Sequence, residues 1–249
     1  MCGTVYLVGA GPGAPDLLTV RAVRLLGEAD IVFHDALVAP QILAFVSKGK
    51  KVPVGKRSGR YSTAQAFINK QLLDATRRYE TVVRLKGGDP MLFGRAHEEI
   101  EFLLSHQVRV EVVPGVTAAF AASADLRVSL TQRGLARSVT FVTPRVAAGA
   151  RDSSWVAAVL AADTAAIYMG AGEAVAIRDA LIGAGKPAST PVALVQDASL
   201  PQRALVFGVL GDLPAITPQG AGPSIILIGE VYRVAALAAA PRRKASQVA

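Results

Sequence analysis

The chain has 249 residues, 51% of them hydrophobic and 18% charged, and 27 Lys and Arg against 19 Asp and Glu leave a net charge of +8. That hydrophobic content excludes an intrinsically disordered chain, and the length suits one or two domains of about 100–200 residues each. One cysteine, Cys2, excludes an internal disulfide, three histidines leave no recognisable metal-ligand spacing, and no apolar run reaches the about 18 residues of a membrane helix.

Nineteen of the cations are Arg and eight are Lys, and Arg242, Arg243 and Lys244 fall in a stretch, 241–249, read as a disordered basic tail. Arginine presents a planar fork that matches carboxylate and phosphate, so an anionic partner is expected. Composition leaves nucleic acid, acidic lipid and acidic metabolite all open. No basic region precedes the first apolar stretch, and the expectation is a soluble, cytoplasmic protein.

Residues 4–8 form a short apolar run that enters Gly9-Ala10-Gly11-Pro12-Gly13, a buried strand followed by a tight turn. Leu18, Ala22, Leu25 and Leu26 then recur at helical spacing, and 30–34 reads as a second strand ending at Asp35. Ser62 and Gln65 have the spacing of a capping box ahead of Phe67, Ile68, Leu72 and Leu73. The strand 81–85 stops at a second glycine turn, Gly87-Gly88-Asp89-Pro90. A helix carrying Ile100, Leu103 and Leu104 precedes a strand at 109–113 and the turn Pro114-Gly115, and a small-residue helix follows near 116–124. Strand-like runs recur at 139–143, 165–169, 192–196, 204–209 and 224–228. Strands alternating with helices predict a mostly parallel sheet in the first half, because parallel neighbours require crossover connections. The fold class is α/β, with an N-terminal domain over 1–118 and a second α/β domain over 119–240, sharing a cleft.

Several residues have both a chemical and a plain structural reading. Gly9, Gly11 and Gly13 let a ligand approach the backbone at a strand's carboxyl end, or serve a turn alone. The spacing is not Gly-x-Gly-x-x-Gly, since residue 14 is Ala, and Pro12 lacks an amide donor, which argues against a dinucleotide. Asp89 beside two glycines accepts hydrogen bonds from a ligand or closes an Asp-Pro turn. Asp35 is a cleft acid or a helix N-cap; Lys56, Arg57 and Arg60 capture a carboxylate or form a solvated charge run. Met169 reads as core or as packing for a flat purine, and His34, His97 and His106 read as incidental.

Taken together, Val8-Gly-Ala-Gly-Pro-Gly13, Leu17-Leu18-Thr19, His34-Asp35-Ala36-Leu37-Val38, Gly55-Lys56-Arg57, Arg84-Leu-Lys-Gly-Gly-Asp-Pro90, Phe93-Gly94-Arg95, Val113-Pro-Gly-Val-Thr-Ala118 and Tyr168-Met169-Gly170 resemble the uroporphyrinogen-III C-methyltransferases of the tetrapyrrole methylase family. The motifs keep family order across residues 5–232. The resemblance implies two α/β domains that bind S-adenosylmethionine between them, release S-adenosylhomocysteine, and work as a homodimer. The implied cofactor contacts are Pro12, Gly87, Gly88, Asp89, Leu92, Thr117, Ala118, Met169 and Ala198. Asp35 and Lys56 match the proton acceptor and donor, and Arg57, Arg60 and Arg133 are the expected substrate contacts. The implied reaction methylates C2 and C7 of uroporphyrinogen III, giving precorrin-2 through precorrin-1, for siroheme or cobalamin. A related methylase of another corrin intermediate, or a non-enzymatic nucleotide-binding module, is the alternative. No metal, nucleic acid or membrane enters this reading. The sequence departs from the family at Arg127-Val-Ser-Leu-Thr-Gln-Arg133, where Gln132 replaces a His, and at Thr143-Pro144-Arg145, where the family has Thr-Gly-His. Both departures remove imidazoles and bear on substrate fit and the second methylation.

Overall fold

A computed structural model describes residues 3–54, 65–145, 155–218 and 222–239. Its contacts divide the chain into two compact units, one ending at Ala121 and the other beginning at Ala122. The first unit runs β1 (Thr4–Gly9), α1 (Val20–Glu28), β2 (Ile31–His34), α2 (Pro40–Leu43), β3 (Lys50–Pro53), α3 (Gln65–Thr76), β4 (Thr81–Lys86), α4 (Ala96–Ser105) and β5 (Arg109–Val113). Helix α5 (Ala118–Leu126) carries the chain across the division. The second unit runs β6 (Val139–Val142), α6 (Trp155–Ala161), β7 (Thr164–Tyr168), α7 (Ala174–Gly183), β8 (Pro191–Gln196), β9 (Ala204–Val209), α8 (Leu213–Ile216), β10 (Ser224–Gly229) and α9 (Arg233–Ala239).

The first sheet has the order β3-β2-β4-β1-β5, and every pairing in it is parallel. Strands β1, β2 and β4 are buried along almost their whole length because both faces are covered, whereas the edge strands β3 and β5 carry exposed residues. Val8, Val32, Val83 and Leu85 pack with Ala22, Leu25 and Leu26 of α1 on one face. Val5, Ile31, Phe33 and Val82 pack with Ile68 and Leu72 of α3 and Leu103 of α4 on the other. The second sheet, β6-β7-β10-β8-β9, is mixed: β6 and β7 are parallel, whereas β10 lies antiparallel between β7 and β8, and β9 is antiparallel to β8.

Local polar groups set where elements begin. The Thr19 hydroxyl accepts the Ala22 amide at 3.2 Å and caps α1, so Leu18, grouped with this helix by spacing, lies ahead of it. The Asp30 carboxylate accepts the Glu80 and Thr81 amides at the head of β4. Asp163 does the same for β6, accepting from Arg137 N and from both the amide and the hydroxyl of Ser138. Those bonds, the Arg137 amide first, hold the Asp163 carboxyl below its ordinary range.

Helix α4 lies where the spacing of Ile100, Leu103 and Leu104 predicts it, but its buried stripe differs from that set. Its buried residues are Ala96, Glu99 and Leu103, and Leu104 is 56% exposed. The buried stripe therefore includes a carboxylate, which apolar periodicity alone does not flag. Cys2, Ser62 and the tail 241–249 lie outside the described residues.

Candidate functional site

Three loops meet at the carboxyl ends of β1, β4 and β5. Gly11 and Gly88 form an antiparallel bridge in which Gly88 N donates to Gly11 O at 2.7 Å and Gly11 N donates to Gly88 O at 3.1 Å. The third loop, after β5, is tied in by the Gly115 amide, which donates to Asp89 Oδ2 at 2.9 Å. The other oxygen, Asp89 Oδ1, accepts from Met91 N at 2.8 Å. Side chains would prevent this approach. A Cβ on Gly9 would lie 2.7 Å from Gly115 Cα and 2.8 Å from Gly88 O. Gly88 itself has φ +67°, a left-handed conformation that an L side chain strains to adopt. A Cβ there would meet nothing nearer than Thr117 Cα at 4.0 Å, so the space beside Gly88 is unfilled.

Pro12, Gly87, Gly88, Asp89 and Leu92 thus fall in the first two loops, and Thr117 and Ala118 follow the third, at the start of α5. Sequence reasoning separated these loops by up to about a hundred positions; the parallel register of β1 with β4 and β5 aligns their ends. Asp89 fulfils its structural reading by closing a turn, and each of its oxygens retains lone-pair capacity for a ligand donor.

Asp35 does not cap a helix. It follows β2 directly, and Arg84 NH2 donates to its Oδ1 at 2.5 Å. Arg84 Nε donates to Glu99 Oε1 at 3.0 Å, and Lys86 Nζ donates to Glu99 Oε2 at 2.9 Å. The Arg84, Lys86 and Glu99 side chains are all under 5% exposed, whereas Asp35 is 29% exposed. Burial pushes the Lys86 ammonium below its ordinary pKa, the Arg84 charge adds to this, and Glu99 opposes both.

Arg84, Lys86 and Glu99 were not singled out from the sequence for any role. Two signals were available: cations two residues apart in an apolar strand lie on one sheet face, and Glu99 sits at helical spacing between Ala96 and Leu103.

In the second unit Met169 follows β7 with φ +56° and is 42% exposed, which corrects the core reading. Ala198 is buried and flanked by Asp197 (φ +51°) and Ser199 (φ +69°). Left-handed non-glycine residues are uncommon and concentrate at ligand loops. Asp125 of α5 holds this loop, its Oδ2 accepting the Ser199 amide at 2.7 Å and its Oδ1 pairing with Arg203 Nε at 3.2 Å. Arg133 is exposed, as are Arg127, Gln132 and Arg145. Lys56, Arg57 and Arg60 lie outside the described residues. Among the described residues no group of three or more His, Cys, Asp or Glu side chains could hold a metal, and no helix is long and apolar enough to cross a membrane.

Glycine loops joined at the carboxyl edge of a parallel sheet, in a chain with a second, mixed sheet, define an α/β protein built to bind a small organic ligand along backbone. Residues 4–214 match the family described as Tetrapyrrole (Corrin/Porphyrin) Methylases, and the chain belongs to that family. It is 44% identical over 236 residues to siroheme synthase of Chromobacterium violaceum, covering 94% of this chain and 50% of that protein. The chain therefore spans about half the length of the curated relatives it matches. It also matches the uroporphyrin-III C-methyl transferase of Thermus thermophilus, solved with S-adenyl homocysteine, at 41% identity and a TM-score of 0.82, covering 93% of this chain and 100% of the other. A cobalt precorrin-4 methyltransferase, CbiF, matches at 28% identity and a TM-score of 0.79, covering 92% of this chain and 95% of that one.

Proposed function

We propose that this protein is an S-adenosylmethionine-dependent transferase that methylates uroporphyrinogen III at C2 and C7, giving precorrin-2 by way of precorrin-1. The observation that carries the reading is the set of three glycine loops stitched at one sheet edge, in a chain 41% identical to a methyltransferase solved with S-adenyl homocysteine. The residues fit such a donor: the edge offers backbone polar groups, one carboxylate and the unfilled space at Gly88. The residues assigned to the donor are Pro12, Gly87, Gly88, Asp89, Leu92, Thr117, Ala118, Met169 and Ala198. When bound, the donor supplies a methyl group already activated on a sulfonium.

The protein's contribution is alignment and exclusion of water. The pyrrole carbon uses a π pair to form the new carbon–carbon bond, and the methyl–sulfur bond breaks with both electrons left on sulfur. Positive charge passes from sulfur to the ring until a ring proton leaves. Asp35 is assigned to stabilise that ring charge or take the proton, and Lys56 is assigned the opposite transfer. The substrate carries eight carboxylates, which matches an excess of arginine, and Arg57, Arg60 and Arg133 are assigned to them.

The product's use in siroheme synthesis is supported by the siroheme synthases among the relatives. Homodimer formation is part of the same reading. A cytoplasmic location is supported by the single cysteine in the chain. A second reading, methylation of a later corrin intermediate, is favoured by the match to CbiF and by the Arg127-to-Arg133 departure, in which Arg127, Gln132 and Arg133 are exposed. Incubation of uroporphyrinogen III with labelled donor, with product mass followed over time, tests both. Label in a doubly methylated product supports the first reading, and no label in the tetrapyrrole rejects it.

A further inference from the structure

Arg84 and Lys86 place two cations on one face of the central strand β4, beneath α3 and α4. Burying charge is unfavourable unless each ion is paired, and a buried pair seldom stabilises a fold more than apolar residues of the same shape would. Here the ions are paired, and the pairing is directional. Arg84 commits Nε to Glu99, NH1 to the Leu85 carbonyl at 3.2 Å and NH2 to Asp35, so its guanidinium plane is fixed on three sides. Lys86 takes the other oxygen of Glu99, which locks that carboxylate in turn. Gln65 Nε2 donates to Glu99 Oε1 at 3.1 Å and to Asn69 Oδ1 at 3.0 Å, while Asn69 Nδ2 donates to the Glu98 carbonyl. The cluster is thus anchored to two helices and the central strand. Asp35 is its partly exposed member, and among the described residues its Oδ2 has no hydrogen-bond partner.

We propose that Arg84 is a positioning residue for methyl transfer: braced by Glu99 and Lys86, it holds Asp35 by one oxygen and leaves the other to face the cationic ring formed when carbon is methylated. A fork is needed because a lysine at residue 84 reaches one partner as a point charge and cannot fix the carboxylate plane. Lys86 adds the second positive charge that keeps Glu99 in place and the buried group neutral overall. The inference rests on the methyltransferase reading given above.

The test is a double-mutant cycle on the full-length protein, with uroporphyrinogen III and labelled S-adenosylmethionine. Arg84→Lys keeps the charge and removes the fork. It is expected to lower kcat by about 100-fold, the scale of a misplaced catalytic group, with affinity for S-adenosylhomocysteine held within about twofold. On an Asp35→Asn background the same substitution is expected to change kcat by less than about threefold, because the group through which Arg84 acts is already gone. Equal losses on both backgrounds overturn the proposal, as does coupling seen in thermal stability with none in kcat. Should Arg84→Lys fail to fold by circular dichroism, Glu99→Gln, which preserves shape and removes the brace, takes its place in the cycle. A wild-type protein that puts no label into uroporphyrinogen III overturns the functional reading and this inference with it. An active wild type with additive losses overturns the positioning role alone.

Discussion

Replacing Gly9 with Ala is the sharpest perturbation of the three-loop edge. The new Cβ would stand 2.7 Å from both Cα and N of Gly115 and 2.8 Å from Gly88 O, well inside the 3.4 Å at which ordinary contact begins. Every clashing atom is backbone, so no side chain can swing away and the loops themselves must part. Overpacking of this kind destabilises by about 1–3 kcal/mol. Separation of the loops also weakens the two Gly11–Gly88 hydrogen bonds and the Asp89–Gly115 bond, each contributing about 1 kcal/mol net. Against this, Ala in an extended segment gains about 0.5–1 kcal/mol over Gly by restricting the unfolded chain. The expected net loss is about 2–4 kcal/mol, a large share of the about 5–15 kcal/mol typical of a domain. Urea unfolding followed by far-ultraviolet circular dichroism should show a midpoint lower by about 1 M or more at an unchanged slope. Calorimetry should show weakened S-adenosylhomocysteine binding. Gly27→Ala, in α1 with nothing within 4 Å of the added Cβ, is the matched control. It should raise stability by about 0.5–1 kcal/mol. A Gly9→Ala protein with the wild-type midpoint and donor affinity would refute the close-approach argument.

Other outcomes follow from single residues. Asp89→Ala removes the acceptor of both Met91 N and Gly115 N, so donor affinity should fall by about tenfold or more, as expected for two lost charge-assisted bonds, in calorimetry. Arg57→Ala should instead raise KM for the tetrapyrrole and leave donor affinity unchanged. Tyr232 is buried, burial raises its hydroxyl pKa, and among the described residues that hydroxyl has no hydrogen-bond partner. Tyr232→Phe should therefore be neutral or stabilising by up to about 1 kcal/mol in urea unfolding; a clear loss would reveal a missing partner. The Arg233 fork on Glu230 holds that carboxyl below its ordinary 4.5. A folded pKa below the unfolded one gives stability that is present above pH 4.5 and is lost as pH falls through the folded value. Because both partners are nearly half exposed, solvent screening keeps the effect small. Glu230→Gln should lower Tm slightly at pH 7 and not at strongly acid pH, and added salt should shrink the difference.

The parallel first sheet was legible because β1 and β2 are apolar runs ending at glycine or a polar residue, β4 stops at a glycine turn, and the intervening helices force crossovers. The strand starts and ends at 109–113 and 204–209 agree with β5 and β9. The second sheet's antiparallel insertion of β10 was not legible, since an apolar run of six residues reads the same in either direction. Met169 shows a similar limit: apolar neighbours suggested core, while the left-handed backbone after β7 turns the residue out to solvent.

By itself the sequence determined which residue types could stand at the sheet edge, because glycine turns after strands are local features with a local cause. It also marked Asp35 and Asp89 as acids at strand ends. Only the tertiary structure decided what those acids do. Asp35 meets Arg84 across 49 positions, and Asp89 meets Gly115 across 26, through strand register. Such pairings depend on which strands lie side by side, and nonlocal contacts leave no period in the sequence that brings them together.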